Sequence, residues 1–268
     1  MKLLTVENLG ISLLHSDRTL LEGVSFEMEW ADRLGIIGES GSGKSITALA
    51  LLGLLPESMR ATGSVVLAGT EVIGRSESEL KAIRGSTAAM IFQEPLSALD
   101  PLMRAGRQVE GPVRLHQGLT GAAARRKVQA LLERVRLPNP ERIAASFPHE
   151  LSGGQRQRVA IAMALACQPK LLIADEPTTA LDVPVQAEVL SLLDELVADE
   201  GMALLFITHD LPVISRVARR LLVMQDGRIV ESDTTANILA SPRHPAAARL
   251  LEAARRVTTV PYTRGAGR

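Results

Sequence analysis

The sequence predicts an α/β fold: a mainly parallel sheet covered on both faces, with an antiparallel β subdomain at its start and an inserted helical lobe. Three observations carry that prediction. Short, nearly all-apolar runs, Lys170 to Ala174 and Ala203 to Thr208, flank the amphipathic stretch Val185 to Ala198, as expected of strands buried on both faces by crossover helices. The first quarter alternates with period two instead, over Leu3 to Leu9 and over Val24 to Glu29, where Val24, Phe26 and Met28 share a face. From about Pro95 to Gln168 the chain is rich in Ala, Arg, Leu and Glu at helical spacing and carries no strong strand signal.

Each element then follows in order. Leu34 to Ile37 reads as a short buried strand and Ile46 to Leu55 as a nearly all-apolar helix. Gly63 to Leu67 and Thr70 to Ile73 flank Ala68-Gly69, a hairpin signal, and Ala88 to Gln93 reads as a buried strand. Thr120 is placed to cap a helix running to about Val135, and Pro138 and Pro140 break the chain after it. After the strands and helix of the resumed core, Asp226-Gly227 within Leu221 to Glu231 predicts a hairpin with a type I′ turn. The chain after Pro242 reads as helical to about Arg256, after which periodicity is lost and the end is expected to fray. This divides the chain into a single domain, 1–251, and a tail, 252–268; within the domain, 1–94 and 169–240 form the α/β core with its β subdomain, and 95–168 the helical subdomain.

A chain of 268 residues buries one large core or two lobes sharing one. Its 30 basic residues balance 30 acidic ones, so no global charge draws it to nucleic acid or anionic lipid. The local cluster Arg125, Arg126, Lys127, Arg134 and Arg136 reads as a solvated helix face rather than a nucleic-acid patch, since few aromatics accompany it. The longest apolar runs are too short to cross a bilayer, and Lys2 with an early acidic residue does not read as a signal peptide. Cys167 has no partner for a disulfide or a multi-cysteine metal cluster, and is expected to be a small buried hydrophobe on a helix. These features fit a bacterial-type cytosol.

The chemistry is carried first by Gly38-Glu39-Ser40-Gly41-Ser42-Gly43-Lys44-Ser45, with a strand before it and a helix after. Glycines at 38, 41 and 43 let backbone N–H groups turn inward around an anion, and the helix start near Lys44 adds its positive dipole end. Lys44 is placed to reach β- and γ-phosphates and the Ser45 hydroxyl to ligate Mg²⁺. An ordinary Gly/Ser loop is the bland alternative; the strand–loop–helix context favours a nucleoside triphosphate.

Leu171 to Glu176 is an apolar strand ending in two carboxylates. At the sheet's carboxyl edge Asp175 is placed to hold Mg²⁺ through water, leaving Glu176 to orient and polarise an attacking water. Leu151-Ser152-Gly153-Gly154-Gln155 opens a helix and offers a second anion site at free N–H groups, which suggests two sites meeting across a dimer. The same residues read equally well as a glycine-containing N-cap.

Taken in order from about Leu3 to Leu251, these segments resemble the ATPase subunit of an ATP-binding cassette (ABC) transporter, which places the core among P-loop NTPases. Gly38 to Ser45 is similar to the family's Walker A loop, Leu171 to Asp175 to its Walker B strand with Glu176 as catalytic carboxylate, and Leu151 to Gln155 to its signature motif. Gln93 resembles the Q-loop glutamine that touches Mg²⁺ and relays contact with the membrane domain. Ala180-Leu181-Asp182 resembles the D-loop, and His209 the switch histidine that contacts the γ-phosphate. Taken singly, Gln93 reads as a loop-satisfying side chain, Asp182 as a cap for the helix near Val185 and His209 as a core histidine; the ordered set favours the functional readings. Met90 to Pro95, Leu99-Asp100-Pro101, Phe147 to Glu150, Thr178 to Val183 and Ser241 to Pro245 are similar to the dipeptide, oligopeptide and nickel importer group, particularly the first of its two unlike ATPases.

The resemblance implies an ATP-hydrolysing motor on the cytoplasmic face of the inner membrane, using ATP and Mg²⁺. It also implies a second ATPase subunit, two permease subunits, an extracytoplasmic solute-binding protein and no nucleic acid. Ser152 and Gly154 would act in trans on ATP held by the other chain. The chain departs from the pattern in lacking C-terminal cysteines and in placing Ala246 where an aromatic usually follows His-Pro. It also has no Phe, Tyr or Trp before Phe26, which leaves His15 as the ring to stack on adenine. Two other classes remain open: a soluble ABC ATPase of DNA repair or translation, and an accessory cassette of a metabolic complex such as phosphonate breakdown.

Overall fold

Two sheets share the chain. The structure, a computed structural model, describes residues 1–258 apart from residues 17, 94–97 and 180, with only the backbone described for residues 256–258. Strands β1 (Lys2–Leu13), β2 (Thr19–Glu29), β4 (Met59–Leu67) and β5 (Thr70–Glu71) form an antiparallel sheet in the order β2-β1-β4-β5. Its period-two pattern is realised as expected: Leu4, Val6, Val24 and Met28 are buried, Phe26 packs partly buried against the same core, and Glu7, Ser25 and Glu27 are exposed.

The second sheet runs β10 (Arg228–Thr234), β9 (Arg220–Gln225), β3 (Arg33–Gly38), β8 (Ala203–Ile207), β7 (Leu171–Asp175), β6 (Ala88–Ile91). All neighbours in it are parallel except the β9–β10 hairpin. Asp226 and Gly227 at its tip both have positive φ, 47° and 75°, as a type I′ turn demands. Every residue of β7 and β8 is buried, which is why these runs, up to Asp175 at the end of β7, are apolar rather than alternating. Each fully buried Leu or Ile contributes about 1.5–3 kcal/mol, so a slip of register in this sheet is heavily penalised.

Helices α1 (Lys44–Leu51) and α2 (Glu77–Ile83) belong to the first half. The lobe contains α3 (Ala105–Gln117), α4 (Gly121–Arg134), α5 (Pro140–Ala145) and α6 (Gly153–Leu165). The core resumes with α7 (Val183–Glu200), α8 (Leu211–Val217), α9 (Thr235–Ala240) and α10 (Pro245–Thr258). The lobe has no separate interior: Val109, Leu132 and Val159 belong to the same apolar cluster as Leu193 and Phe206 of the core. Its position is therefore coupled to the sheet by packing.

Several local expectations are corrected. The helix after the phosphate loop ends at Leu51 rather than Leu55, because the chain turns at Gly53 with φ 61°. The strand from Thr70 stops at Glu71, whose carboxylate accepts from the N–H groups of Val65, Val72 and Ile73 and curls the chain around itself. The strand expected to reach Gln93 ends at Ile91. Cys167 is half-buried, lies beyond the end of α6 and donates its thiol to the Pro112 carbonyl at 3.4 Å. Thr120 holds the N-cap position of α4 but makes no side-chain cap bond. Arg134 and Arg136 are not simply solvated: they pair with Glu200 and Glu195 of α7. Glu94, Pro95, Ala180 and the fraying expected of the chain end fall outside the described residues.

Candidate functional site

Four parallel strands deliver the site. β3 ends in the loop Gly38 to Ser45, β6 leads to Gln93, β7 to Asp175 and Glu176, and β8 to Thr208 and His209. In an open parallel sheet the carboxyl ends of the strands form the natural crevice for a ligand. The register holds them level: Asp175 pairs with Ile207, and Ile207 with Ile36.

The loop is built by backbone shape. Gly41 and Gly43 adopt φ of 80° and 102°, a region that favours glycine, and a Cβ on Gly43 would collide with Leu21. Gly38 is needed for space, since a Cβ there would strike the Met224 carbonyl oxygen. Lys44 is 6% exposed and folds back to donate to the Gly38 and Glu39 carbonyls at 2.9 and 3.0 Å. Burial pushes its ammonium below the usual lysine range, while the charges of Glu176 and Asp175 oppose that shift. The amine is thus held on neutral acceptors that phosphate oxygens can replace with charge-assisted bonds. Glu39, Ser40 and Gly41 are exposed, and the Ser42 hydroxyl is buried with no hydrogen-bond partner.

Asp175 is 4% exposed. Burial pushes its carboxyl above the usual carboxylate range; the Ser45 hydroxyl pulls it back, Glu176 adds to the rise and Lys44 opposes it. Its Oδ1 has no hydrogen-bond partner although fully buried. An orphaned carboxylate oxygen beside a serine hydroxyl is the hard-oxygen donor set that suits Mg²⁺ completed by waters and substrate phosphates.

Glu176 is the most heavily held side chain in the site. Its Oε2 accepts from Gln93 Nε2 at 3.2 Å and from Thr179 Oγ1 at 2.9 Å, and its Oε1 lies 2.9 Å from His209 Nδ1. Its backbone has φ 46° and its N–H bonds to the Ile207 carbonyl at 2.8 Å, so the strand's last ladder contact turns the side chain sharply into the crevice. The geometry brings together Gln93, Glu176 and His209, three of the residues expected at the site. Thr179 was missed; its only signal was the spacing of three residues after Glu176.

The remaining expected residues are placed differently. Ser152 caps α6, accepting from Gln155 N–H while Gln155 Oε1 accepts from the Ser152 N–H, so the N-cap reading holds. The Ser152–Gly153 turn is nevertheless exposed at a helix N-terminus. Gly154 faces α7, where a Cβ would come within 2.7 Å of Val185. Asp182 caps α7 by accepting from Val185 N–H at 3.0 Å. His15 is exposed in the turn joining β1 and β2.

The comparisons with known proteins agree with this geometry. The family described as ABC transporter matches residues 21–179. A probable peptide ABC transporter ATP-binding protein, y4tR of Sinorhizobium fredii, is 47% identical over 84% of this chain and 68% of its own length. The oligopeptide transport ATP-binding protein OppD of Bacillus subtilis is 44% identical, over 91% of this chain and 69% of that protein. The glutathione import ATP-binding protein GsiA of Escherichia coli O157:H7 is 42% identical over 93% of this chain, which spans only 42% of that relative. Among solved structures, the dimeric post-hydrolysis ATP-binding cassette MJ0796 bound to ADP and Pi superposes with a TM-score of 0.77 at 29% identity, covering 87% of this chain and 98% of that one. No helix among the described residues is long and apolar enough to cross a membrane. With a phosphate loop, a glycine turn opening a helix and a strand ending in paired carboxylates in that order along the chain, and with these matches, the chain belongs to the ABC transporter family, as an ATP-binding and ATP-hydrolysing cassette.

Proposed function

We propose that this cassette drives uptake of peptides, nickel or a related small solute, as the ATPase of an importer working from the cytoplasmic face of the inner membrane. The observation that carries the catalytic part is the triple hold on Glu176 by Gln93, Thr179 and His209, beside the phosphate loop. In this reading Gly38 to Ser45 cradle the phosphates, and Glu176 accepts the proton of the attacking water. His209 orients both Glu176 and the γ-phosphate. Ser45, Asp175 and Gln93 would hold Mg²⁺, which neutralises developing charge on the phosphates when bound. Ser152 and Gly154 act on ATP bound by a second cassette, with Asp182 at the contact between the two.

The names of the relatives support the peptide-type cargo and the permease partners; in this reading a second, unlike ATPase, two permeases and a solute-binding protein complete the assembly. The helical lobe offers the surface for a permease: Leu102 is 87% exposed, and a groove of about 780 Å³ opens between α3, α4 and α5. Co-purification of the membrane complex tests the pairing. A single copy of this chain with a second, different ATPase is expected; two copies and no other ATPase would refute the heterodimer.

His15 is proposed to stack on the adenine, there being no aromatic before Phe26. A small ring gives modest ATP affinity and poor discrimination against GTP, because stacking is worth only about 1–3 kcal/mol per base. His15→Ala is expected to weaken ATP binding and His15→Tyr to tighten it. Equal ATP affinities for wild type and both variants would remove His15 from the base site.

A further inference from the structure

We propose that Arg158 is a positioning residue that sets how the Ser152–Gly154 turn is presented to nucleotide. It lies on α6, whose N-terminus is that turn. Its side chain is 13% exposed, and the guanidinium binds two other helices at once. One nitrogen donates to the Val135 carbonyl at 3.2 Å and reaches the Arg136 carbonyl at 3.5 Å, at the end of α4. Another donates to Glu188 of α7 at 2.7 Å. A planar fork with fixed donor directions fits this three-helix junction in a way that an ammonium does not.

The junction lies close to the catalytic segment. The start of α6 rests on the start of α7: a Cβ on Gly154 would come within 2.7 Å of Val185, and one on Gly153 within 3.6 Å of Leu181. The chain reaches α7 from Glu176 by way of Thr179, which bonds the Glu176 carboxylate. Arg158 therefore ties α6 to α7 about one turn beyond the glycine contact, so α6 is held against α7 by packing at its tip and by the guanidinium behind it. Two further pairs run beside it from the lobe to α7, Arg134 with Glu200 and Arg136 with Glu195. Glu188 and Glu195 are two turns apart on one face of α7. Arg134 and Arg136 are themselves exposed, at 38% and 53%, and pairs made by such side chains hold weakly, which leaves the nearly covered Arg158, with its two carbonyl acceptors, as the part of the junction that fixes angle.

This inference rests on the reading that Ser152 and Gly154 act on nucleotide, and the test separates the two. ATPase turnover and ATP affinity are measured on the complex reconstituted with its partner subunits, for Arg158→Lys, Arg158→Met, Glu188→Gln, Ser152→Ala and the Arg158→Met/Ser152→Ala double variant. Arg158→Met is expected to lower kcat roughly tenfold and Arg158→Lys several-fold, with ATP affinity and Tm near wild type and Glu188→Gln milder than either. Because Arg158 acts only through the turn, the double variant is expected to be no slower than Ser152→Ala alone. Normal kcat in both Arg158 variants, or additive losses in the double variant, would overturn the positioning role while leaving the turn's role intact. Normal kcat in Ser152→Ala would overturn the reading beneath it. A fall in Tm matching the fall in kcat would make Arg158 a stability residue only.

Discussion

Glu176→Gln is expected to bind ATP as well as wild type and to lose most turnover, on the order of 10²–10⁴-fold, the contribution typical of a positioned general base. The amide is nearly isosteric, so the contacts of Gln93, Thr179 and His209 persist in altered form. What is lost is an acceptor able to take a proton from water. The fold should tolerate the change, since the amide keeps the size of the buried Glu176 side chain and retains an oxygen that can accept from Gln93 and Thr179. ATP binding and single-turnover hydrolysis on the purified complex check this. Near-normal hydrolysis with intact binding would show that another group is the base. Thr179→Val removes one of the three supports and should give a smaller loss of the same kind.

Lys44→Ala should fail one step earlier, at binding. The side chain supplies the positive charge buried within the loop, and loss of a hydrogen bond to a charged group costs about 1.5–3 kcal/mol, roughly ten- to 150-fold in affinity. The apo fold should change little, because the variant also removes an ammonium whose burial is unfavourable. Linkage gives this a sign. A lysine whose folded pKa is depressed makes the unfolded chain bind more protons in the window between that value and 10.5, so stability rises with pH across that window. Lys44→Ala should flatten that rise while abolishing tight nucleotide binding. ATP titration and Tm against alkaline pH measure the two effects separately, and unchanged ATP affinity would remove Lys44 from the phosphate site.

Much of this was legible in the residues because the responsible physics is local. An anion cradle needs glycines, a lysine and a helix start within eight positions, and Gly38 to Ser45 have all three between strand and helix. All-apolar runs such as Leu171 to Ala174 announce strands covered on both faces before any partner is known. The type I′ turn at Asp226-Gly227 needs two positive φ values, and that demand is written in the residue types.

The tertiary structure alone decided what depends on neighbours distant in sequence. Gln93, Thr179 and His209 carry no mark that they share one carboxylate; that follows from β6, β7 and β8 lying side by side, which brings positions 83 and 33 residues from Glu176 within hydrogen-bond reach. Arg134 and Arg136 read as solvated because pattern reports only which residues at the end of α4 and just beyond it are polar, and the acids of α7 opposite them come into view only once the lobe is packed. The depressed Lys44 and raised Asp175 likewise arise from burial, a property of the assembled crevice rather than of either residue. Sequence alone thus determined which chemical groups are present and the local shapes that present them, because backbone sterics and periodicity act over a few residues. Their mutual distances, and with them the hold on Glu176, were settled by sheet order and lobe packing, which are set by the burial of the whole chain.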